Sequence, residues 1–274
     1  MKNSTELDYR RRVARVLAEI AMAPAADHTV ESLAAVANFS PFHFHRIYRA
    51  ITGESIATTV RRMRLSEASH KLAGRSSSVI LAALDAGYDS PQSFARAFRE
   101  FTGMSPTGFQ TRQAIVGNSP SVTLVTMPPI VMHGLWHEGP VATIPHSFRR
   151  LRKWASEQGY PWPDCARVAA SYGDPEELEG FSYFAGVVMS GGRRIHDDLE
   201  RCEVSGGFYA AYRLVGPYTL ISSTVQTLFG GWLPQSGMEP DHRPVLEIYR
   251  NHPGAVPDQN LITDLLIPVI EPFS

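Results

Sequence analysis

Residues 40–55 and 90–105 are two versions of one sequence, SPFHFHRIYRAITGES and SPQSFARAFREFTGMS, identical at eight of sixteen positions at an offset of 50. The side chains that differ sit where a helix would meet a partner: Phe42, His43 and His45 in the first copy, Gln92, Ser93 and Ala95 in the second. Arginines recur at matching positions in both, as Arg46 with Arg96 and Arg49 with Arg99. A shared frame carrying a variable face is the pattern of two readers of one kind of surface. A second chemical centre lies near the other end of the chain. In PVLEIYR (residues 244–250), strand alternation puts Leu246 and Ile248 on one face and Glu247 with Tyr249 on the other. An ionised carboxylate among aromatic rings suits an organic cation, which gains charge pairing and cation–π contact together.

The elements that must hold the first centre are legible from caps and spacing. Each copy predicts a short helix with Ser40 or Ser90 as N-cap, Pro41 or Pro91 at the first helical position, and Gly53 or Gly103 as the stop. Thr29 predicts the cap of a preceding helix that ends at Asn38, and the segment from Ser78 to Ala86 predicts its counterpart before Gly87, a position that wants a positive φ. Leu7, Val13, Val16, Leu17 and Ile20 line one face of an opening support helix. Residues 56–72, with Val60, Met63, Leu65, Ala68 and Leu72 on one side, form a connector about 25 Å long at about 1.5 Å per residue. That length would hold two recognition helices about 34 Å apart, one turn of DNA. Phe44, Ile47, Phe94, Ala97 and Phe98 are the expected core of the two copies.

The charge divides in the same way. The chain of 274 residues has a net charge of −1, but residues 1–115 hold 15 Lys and Arg against 10 Asp and Glu, and the remainder 11 against 17. A basic first half favours a polyanion and an acidic second half would be repelled by one, so the halves have different partners. We therefore place domains at 1–115 and 122–274 with a linker at 116–121. Cys165 and Cys202 sit in no zinc or redox array and are read as buried free thiols. No metal site, cofactor motif or catalytic group is recognisable. No apolar run reaches the ~18 residues of a membrane span and the first residues are polar rather than a signal peptide, so a cytoplasmic protein with no membrane partner is expected.

The acidic half contains its own repeat, at an offset of 77: MHGLWHEGP (residues 132–140) answers YAAYRLVGP (residues 209–217). After each Gly-Pro an amphipathic helix follows, with Ile144, Phe148 and Leu151 matched by Ile221, Val225 and Leu228. Two strands follow each helix. The expected fold is an all-α domain with two helix-turn-helix subdomains, then an α+β domain of two strand-helix-strand-strand repeats. The helices are expected to cover the apolar face of the sheet, leaving Glu247 and Tyr249 in a central cleft on the other face. Trp136, Tyr183, Phe184, Phe208 and Trp232 are candidate aromatic walls, of which Trp136 and Tyr183 are preferred with Tyr249.

The motifs ANFSPFHFHRIYR (37–49), RRMRLSEA (61–68), GYDSPQSFARAFR (87–99) and GMSP (103–106) resemble the AraC/XylS family of transcription regulators over roughly residues 8–112. That resemblance implies that Phe42, His43, His45 and Arg46 face double-stranded DNA from the first reader, and Gln92, Ser93, Ala95 and Arg96 from the second. Arg46 and Arg96 can fork onto guanine and Gln92 can pair with adenine, each worth about 1–3 kcal/mol of discrimination. Phe42 offers apolar contact, Ala95 is permissive, and Arg49 and Arg99 suit phosphates.

SGGFYAAY (205–212), VGPY (215–218), WLPQSG (232–237), PVLEIY (244–249) and TDLLIP (263–268) resemble the GyrI-like effector-binding domain. The resemblance implies that Glu247 receives a small, lipophilic cationic or aromatic effector. The family often has an acidic residue at the position of Phe184, and its loss here points to a more apolar ligand. The combined expectation is a non-enzymatic, sequence-specific regulator with DNA, an effector and RNA polymerase as partners. Two alternatives stand beside it: a small-molecule hydrolase with Glu247 as general base, or a protein-interaction module docking on polymerase or a topoisomerase. Because the two reading faces differ, the operator is expected to be asymmetric.

Overall fold

The protein was analysed as a computed structural model, which describes residues 2–73, 77–118, 120–162, 165–174, 181–188 and 199–270. Its helical half begins with α1 (Lys2–Met22), followed by α2 (Val30–Val36) and α3 (Pro41–Thr52) as the first helix-turn-helix. The connector α4 (Ile56–Ala73) leads to α5 (Val79–Asp85) and α6 (Pro91–Thr102), and α7 (Pro106–Asn118) closes the half. The predicted caps form. Ser40 accepts from the His43 amide and Ser90 from the Ser93 amide, while Gly53 and Gly103 stop their helices at φ of 78° and 79°. Thr52 and Thr102 each donate back to the carbonyl four residues earlier, at 2.9 Å, and accept from the amide two residues later. Asn38 and Gly87 supply the left-handed residue of the two turns. Phe44 and Tyr48 pack against α1 in one core, Phe94 and Phe98 against α4 and α5 in another. Residues 116–118, expected in the linker, instead complete α7, because Val116 is buried against the second half.

The second half is a curled antiparallel sheet. Its strands are β1 (Val122–Met127), β2 (Ile130–Trp136), β3 (Ala166–Tyr172), β4 (Ser182–Val188), β5 (Glu200–Val204), β6 (Gly207–Val215), β7 (Glu239–Pro240), β8 (Val245–Tyr249) and β9 (Ile262–Ile270). The order is β1-β6-β9-β8-β3-β4-β2-β5, with β7 on β9. α8 (Ile144–Glu157) follows β2, and α9 (Ile221–Thr227) follows β6 and continues through a π-helical turn into α10 (Leu233–Ser236). Beyond the three strands predicted in each repeat, the first gains β1 and the second gains β5 and the two-residue β7. β1 and β5 are exchanged, β1 pairing with β6 of the other repeat and β5 with β2. The repeats meet where β3 pairs β8, with Ala169 directly opposite Glu247.

One expectation about this sheet is reversed. α8 and α9 cover the face that carries Glu247, Tyr249, Tyr183 and Leu265, with Phe148 and Ile221 packed there. Leu246, Leu266, Phe184 and Met132 cluster on the opposite face. Strand alternation separates two faces but does not say which one a helix will cover. β8 is central, and every residue of it but the half-buried Ile248 is buried, so burial along it does not mark the face a helix covers.

Candidate functional site

The two candidate reading helices, α3 and α6, present their variable residues to solvent. Phe42 is 65% exposed, and His43, His45, Arg46, Gln92, Ser93 and Arg96 are exposed around it or at the matching positions. Position 95 is half-buried, in keeping with alanine there. The Arg46 guanidinium lies 4.7 Å from the Phe42 ring centroid, and the Phe42 ring meets His43 edge-on. In α6 Arg96 reaches Glu100 at 3.3 Å, and Arg61 from α4 shares that carboxylate. Glu100 therefore draws Arg96 back along its helix, whereas the matching residue in α3 is Ala50. The Ser93 hydroxyl donates to the Ser90 carbonyl at 2.8 Å, so it helps cap α6 as well as facing outward.

The ligand candidates converge in part. Glu247, 6% exposed, accepts hydrogen bonds on Oε2 from the hydroxyls of Tyr183, at 2.8 Å, and Tyr249. The two hydroxyls also touch each other at 2.9 Å. Tyr249 packs edge-on against Phe148 of α8 and Tyr218 before α9, at 5.2 and 4.9 Å. Burial raises the Glu247 carboxyl above its ordinary range, and the two hydroxyl bonds only partly offset it. Burial next to that carboxylate pushes both Tyr183 and Tyr249 well above the usual phenol range, so they remain donors. The result is an acid held between the two repeats under a lid of aromatic rings. It can change partners: a cation that displaces the hydroxyls would pair with it in a low-dielectric surrounding.

Trp136 is elsewhere. It pairs across the sheet with Phe184, packs on Phe184 and Tyr172, and so lies on the face opposite Glu247. Phe208 is exposed and Trp232 packs beside Leu228 at the end of α9. The uncovered face has a cavity of ≈ 390 Å³ lined by residues including Thr123, Ala211, Arg213, Arg250 and Asp264. There Asp264 bridges both arginines, each at 2.7 Å, so that cavity carries a paired cluster and not Glu247.

Two junctions between the halves escaped sequence reasoning. At the first, Glu54 in the turn after α3 accepts from Arg62 of α4, Thr59 and His146 of α8. Arg149 of α8 donates to the Thr52 carbonyl at 2.7 and 3.0 Å and lies 3.4 Å from Glu54. Burial raises the Glu54 carboxyl, but the bonds from His146 and Arg62 more than reverse this and hold it well below the usual carboxylate range. Burial lowers His146, against the opposing pull of Glu54. At the second junction, Thr219 donates to the Phe101 carbonyl at 2.8 Å, and Gln113 of α7 joins Ser223 and Thr227 of α9 at 3.2 and 3.0 Å. The backbones of α7 and the π turn touch at Gly117 and Gly231, where a Cβ on Gly231 would lie 2.7 Å from Gly117. Each repeat of the second half thus docks onto the end of one candidate reading helix. The signal was present in both echoes: at an offset of 50 Glu54 answers Met104 and Arg62 answers Arg112, and at 77 His146 answers Ser223.

A pair of helix-turn-helix units joined to a two-repeat α+β domain with a buried acid between the repeats defines a DNA-binding fold fused to a ligand-binding fold. The chain belongs to the GyrI-like family, matching the GyrI-like small molecule binding domain over residues 120–270, and residues 33–112 match an AraC-type helix-turn-helix domain. It is 33% identical over 79 residues to the HTH-type transcriptional activator AarP of Providencia stuartii, covering 29% of this chain and 58% of that protein. It is 28% identical over 152 residues to the probable transcriptional regulator YgiV of Escherichia coli K12, covering 54% of this chain and 95% of that one. Among solved structures, a DNA-binding transcriptional dual regulator from Escherichia coli K-12 is similar at 26% identity and a TM-score of 0.36, over 38% of this chain and 92% of that one. The chain spans little more than half the length of AarP. Among the described residues, no helix is long and apolar enough to cross a membrane.

Proposed function

We propose that this chain is a one-component transcription regulator in which α3 and α6 read DNA and the buried seam at Glu247 binds a small aromatic or cationic effector. The observation that carries the reading is the placement of Glu247. It is a buried carboxyl on the seam between two repeats, and each repeat is docked onto one of two exposed reading helices. A ligand that inserts at the seam changes the relation between the repeats, and through the junctions the relation between α3 and α6. Such coupling requires the ligand to favour one arrangement over another, which a seam site provides. The regulator matches and the small-molecule family support the two halves of this reading. RNA polymerase is the partner through which a DNA-bound regulator would act. Hydrolysis with Glu247 as general base is the less favoured reading, because both tyrosines already occupy its Oε2.

The test of the reading helices is binding of the full chain to DNA selected from a random pool, over a salt series. Arg46→Ala and Arg96→Ala should each relax preference at a separate part of the site, by about 1–3 kcal/mol. Because Phe42, His43 and His45 differ from Gln92, Ser93 and Ala95, the selected sites should be asymmetric. Unchanged preference in both variants would remove the two-reader account.

A further inference from the structure

Glu247 is not the only buried charge on the covered face. Arg167, near the start of β3, is 6% exposed and lies directly across the strand pair from Tyr249. Among the described residues its Nε and Nη1 have no hydrogen-bond partner, and its Nη2 reaches the Asn251 carbonyl, at 3.4 Å. The guanidinium sits 5.7 Å from the Trp162 ring centroid, and among the described residues no carboxylate pairs with it. The same Asn251 carbonyl accepts from the Tyr218 hydroxyl at 3.0 Å, and the Tyr218 ring packs on Tyr249. Arg167 therefore stands at the far end of the aromatic row that begins at Glu247.

A buried guanidinium with unmade bonds is costly, and the ordinary remedy is an ion pair. The chain contains an acid in the same row, yet keeps the two apart. Glu247 faces Ala169, while Arg167 is two residues back along β3, about 7 Å away, with Tyr249 between them. The repeats also divide the charges. The acid comes from β8 of the second repeat and the base from β3 of the first, so the symmetric frame carries an asymmetric, bipolar site.

We propose that Arg167 is the second polar anchor of the effector site, and that the ligand class is amphoteric: an aromatic molecule with a cationic group for Glu247 and an anionic group, such as a carboxylate, for Arg167. This rests on the reading of the buried seam at Glu247 as the ligand site. A purely cationic molecule uses half of the site. One that also bears a carboxylate at the other end of its ring satisfies the idle guanidinium donors, in a surrounding where charge-assisted bonds are strong. Arg167 thus sets which member of the cation class is preferred.

The experiment is calorimetric titration of the full chain with three probes, 4-(aminomethyl)benzoate, benzylamine and benzoate, for the wild type, Arg167→Gln and Glu247→Gln. The zwitterion should bind wild type at least about tenfold more tightly than benzylamine. Arg167→Gln should abolish that advantage and leave benzylamine within about twofold of its wild-type affinity, which also shows that the variant folds. Glu247→Gln should weaken both amines. If benzylamine binds through Glu247 but the carboxylate adds nothing in the wild type, the Arg167 inference is overturned and the cation site stands. If benzoate binds through Arg167 while benzylamine does not bind, both the bipolar ligand and the cation reading fall. If no probe binds, the ligand reading of the seam fails and this inference with it. The wild-type ranking alone decides the matter should Arg167→Gln prove unstable.

Discussion

The two junctions between the halves are built on matching positions and by different chemistry. At the first, one carboxylate, Glu54, gathers Arg62, His146 and Arg149. At the second, Met104 stands where Glu54 would be, and the contact is made by neutral hydroxyls, an amide and two glycines. Arg112, the counterpart of Arg62, keeps Nη1 buried without a partner, and burial lowers its pKa. The comparison teaches that the ends of two equivalent helices can be docked by charge or by packing. Only the charged junction should respond to salt and pH. A ligand at the seam would therefore shift the first reader more readily than the second.

The largest expected effect comes from breaking the charged junction. Glu54→Gln removes the carboxylate that pairs with Arg62 and neighbours Arg149, which keeps its bonds to the Thr52 carbonyl, and should destabilise the chain by about 3 kcal/mol, measured by urea unfolding. The loss should shrink at high salt. Next is the packed junction: Gly231→Ala forces a methyl against the Gly117 backbone and should cost about 2 kcal/mol, independent of salt. Met104→Glu sharpens the comparison by installing the missing acid. It should stabilise the chain by about 1 kcal/mol at low salt and make the second junction salt-sensitive, as Glu54 makes the first.

The smallest effect is a pH dependence of docking. His146 is held below its ordinary value in the docked chain, so its neutral form is the docked one, bonded to Glu54 with Arg62 and Arg149 alongside. Docking contributed by this group is complete above about pH 6.5 and is lost as pH falls toward the lowered value. Protection against amide hydrogen exchange across residues 52–56 and 144–150, taken relative to the intrinsic rate at each pH, should fall below pH 6.5, and His146→Gln should flatten that profile. Glu247 shifts the other way, its pKa raised by burial, and affinity for a permanent cation should likewise be lost as pH falls through that raised value.

The parts of the fold that local rules decide were legible in the sequence. Ser40, Pro41 and Gly53, echoed by Ser90, Pro91 and Gly103, specify two capped helices, and both form as expected. Strand alternation brought Glu247 and Tyr249 to one face, Tyr183 was preferred among the aromatic candidates by type alone, and the three side chains do meet. Trp136 was placed with them because aromatic type was visible while strand parity across different strands was not. Pairing of Trp136 with Phe184 puts it on the other side. The covered face itself was misassigned because a central strand buried on both sides carries no mark of which neighbour is a helix. β1 and β5 were missed because their pairing partners lie in the opposite repeat. Glu54 and His146 are 92 residues apart. No local pattern announces such a pair, although aligning the two echoes exposes Glu54 as a charge without a counterpart.

The central claim is that a ligand at the Glu247 seam alters DNA binding through the docked repeats. The most direct measurement is the dissociation constant of the full chain for its selected DNA, by fluorescence anisotropy at fixed salt, with and without saturating benzyltrimethylammonium, in wild type and Glu247→Gln. The account predicts at least about a fivefold shift in wild type, in either direction, and none in the variant. An equal shift in both proteins, or bound ligand with no shift in wild type, would contradict it.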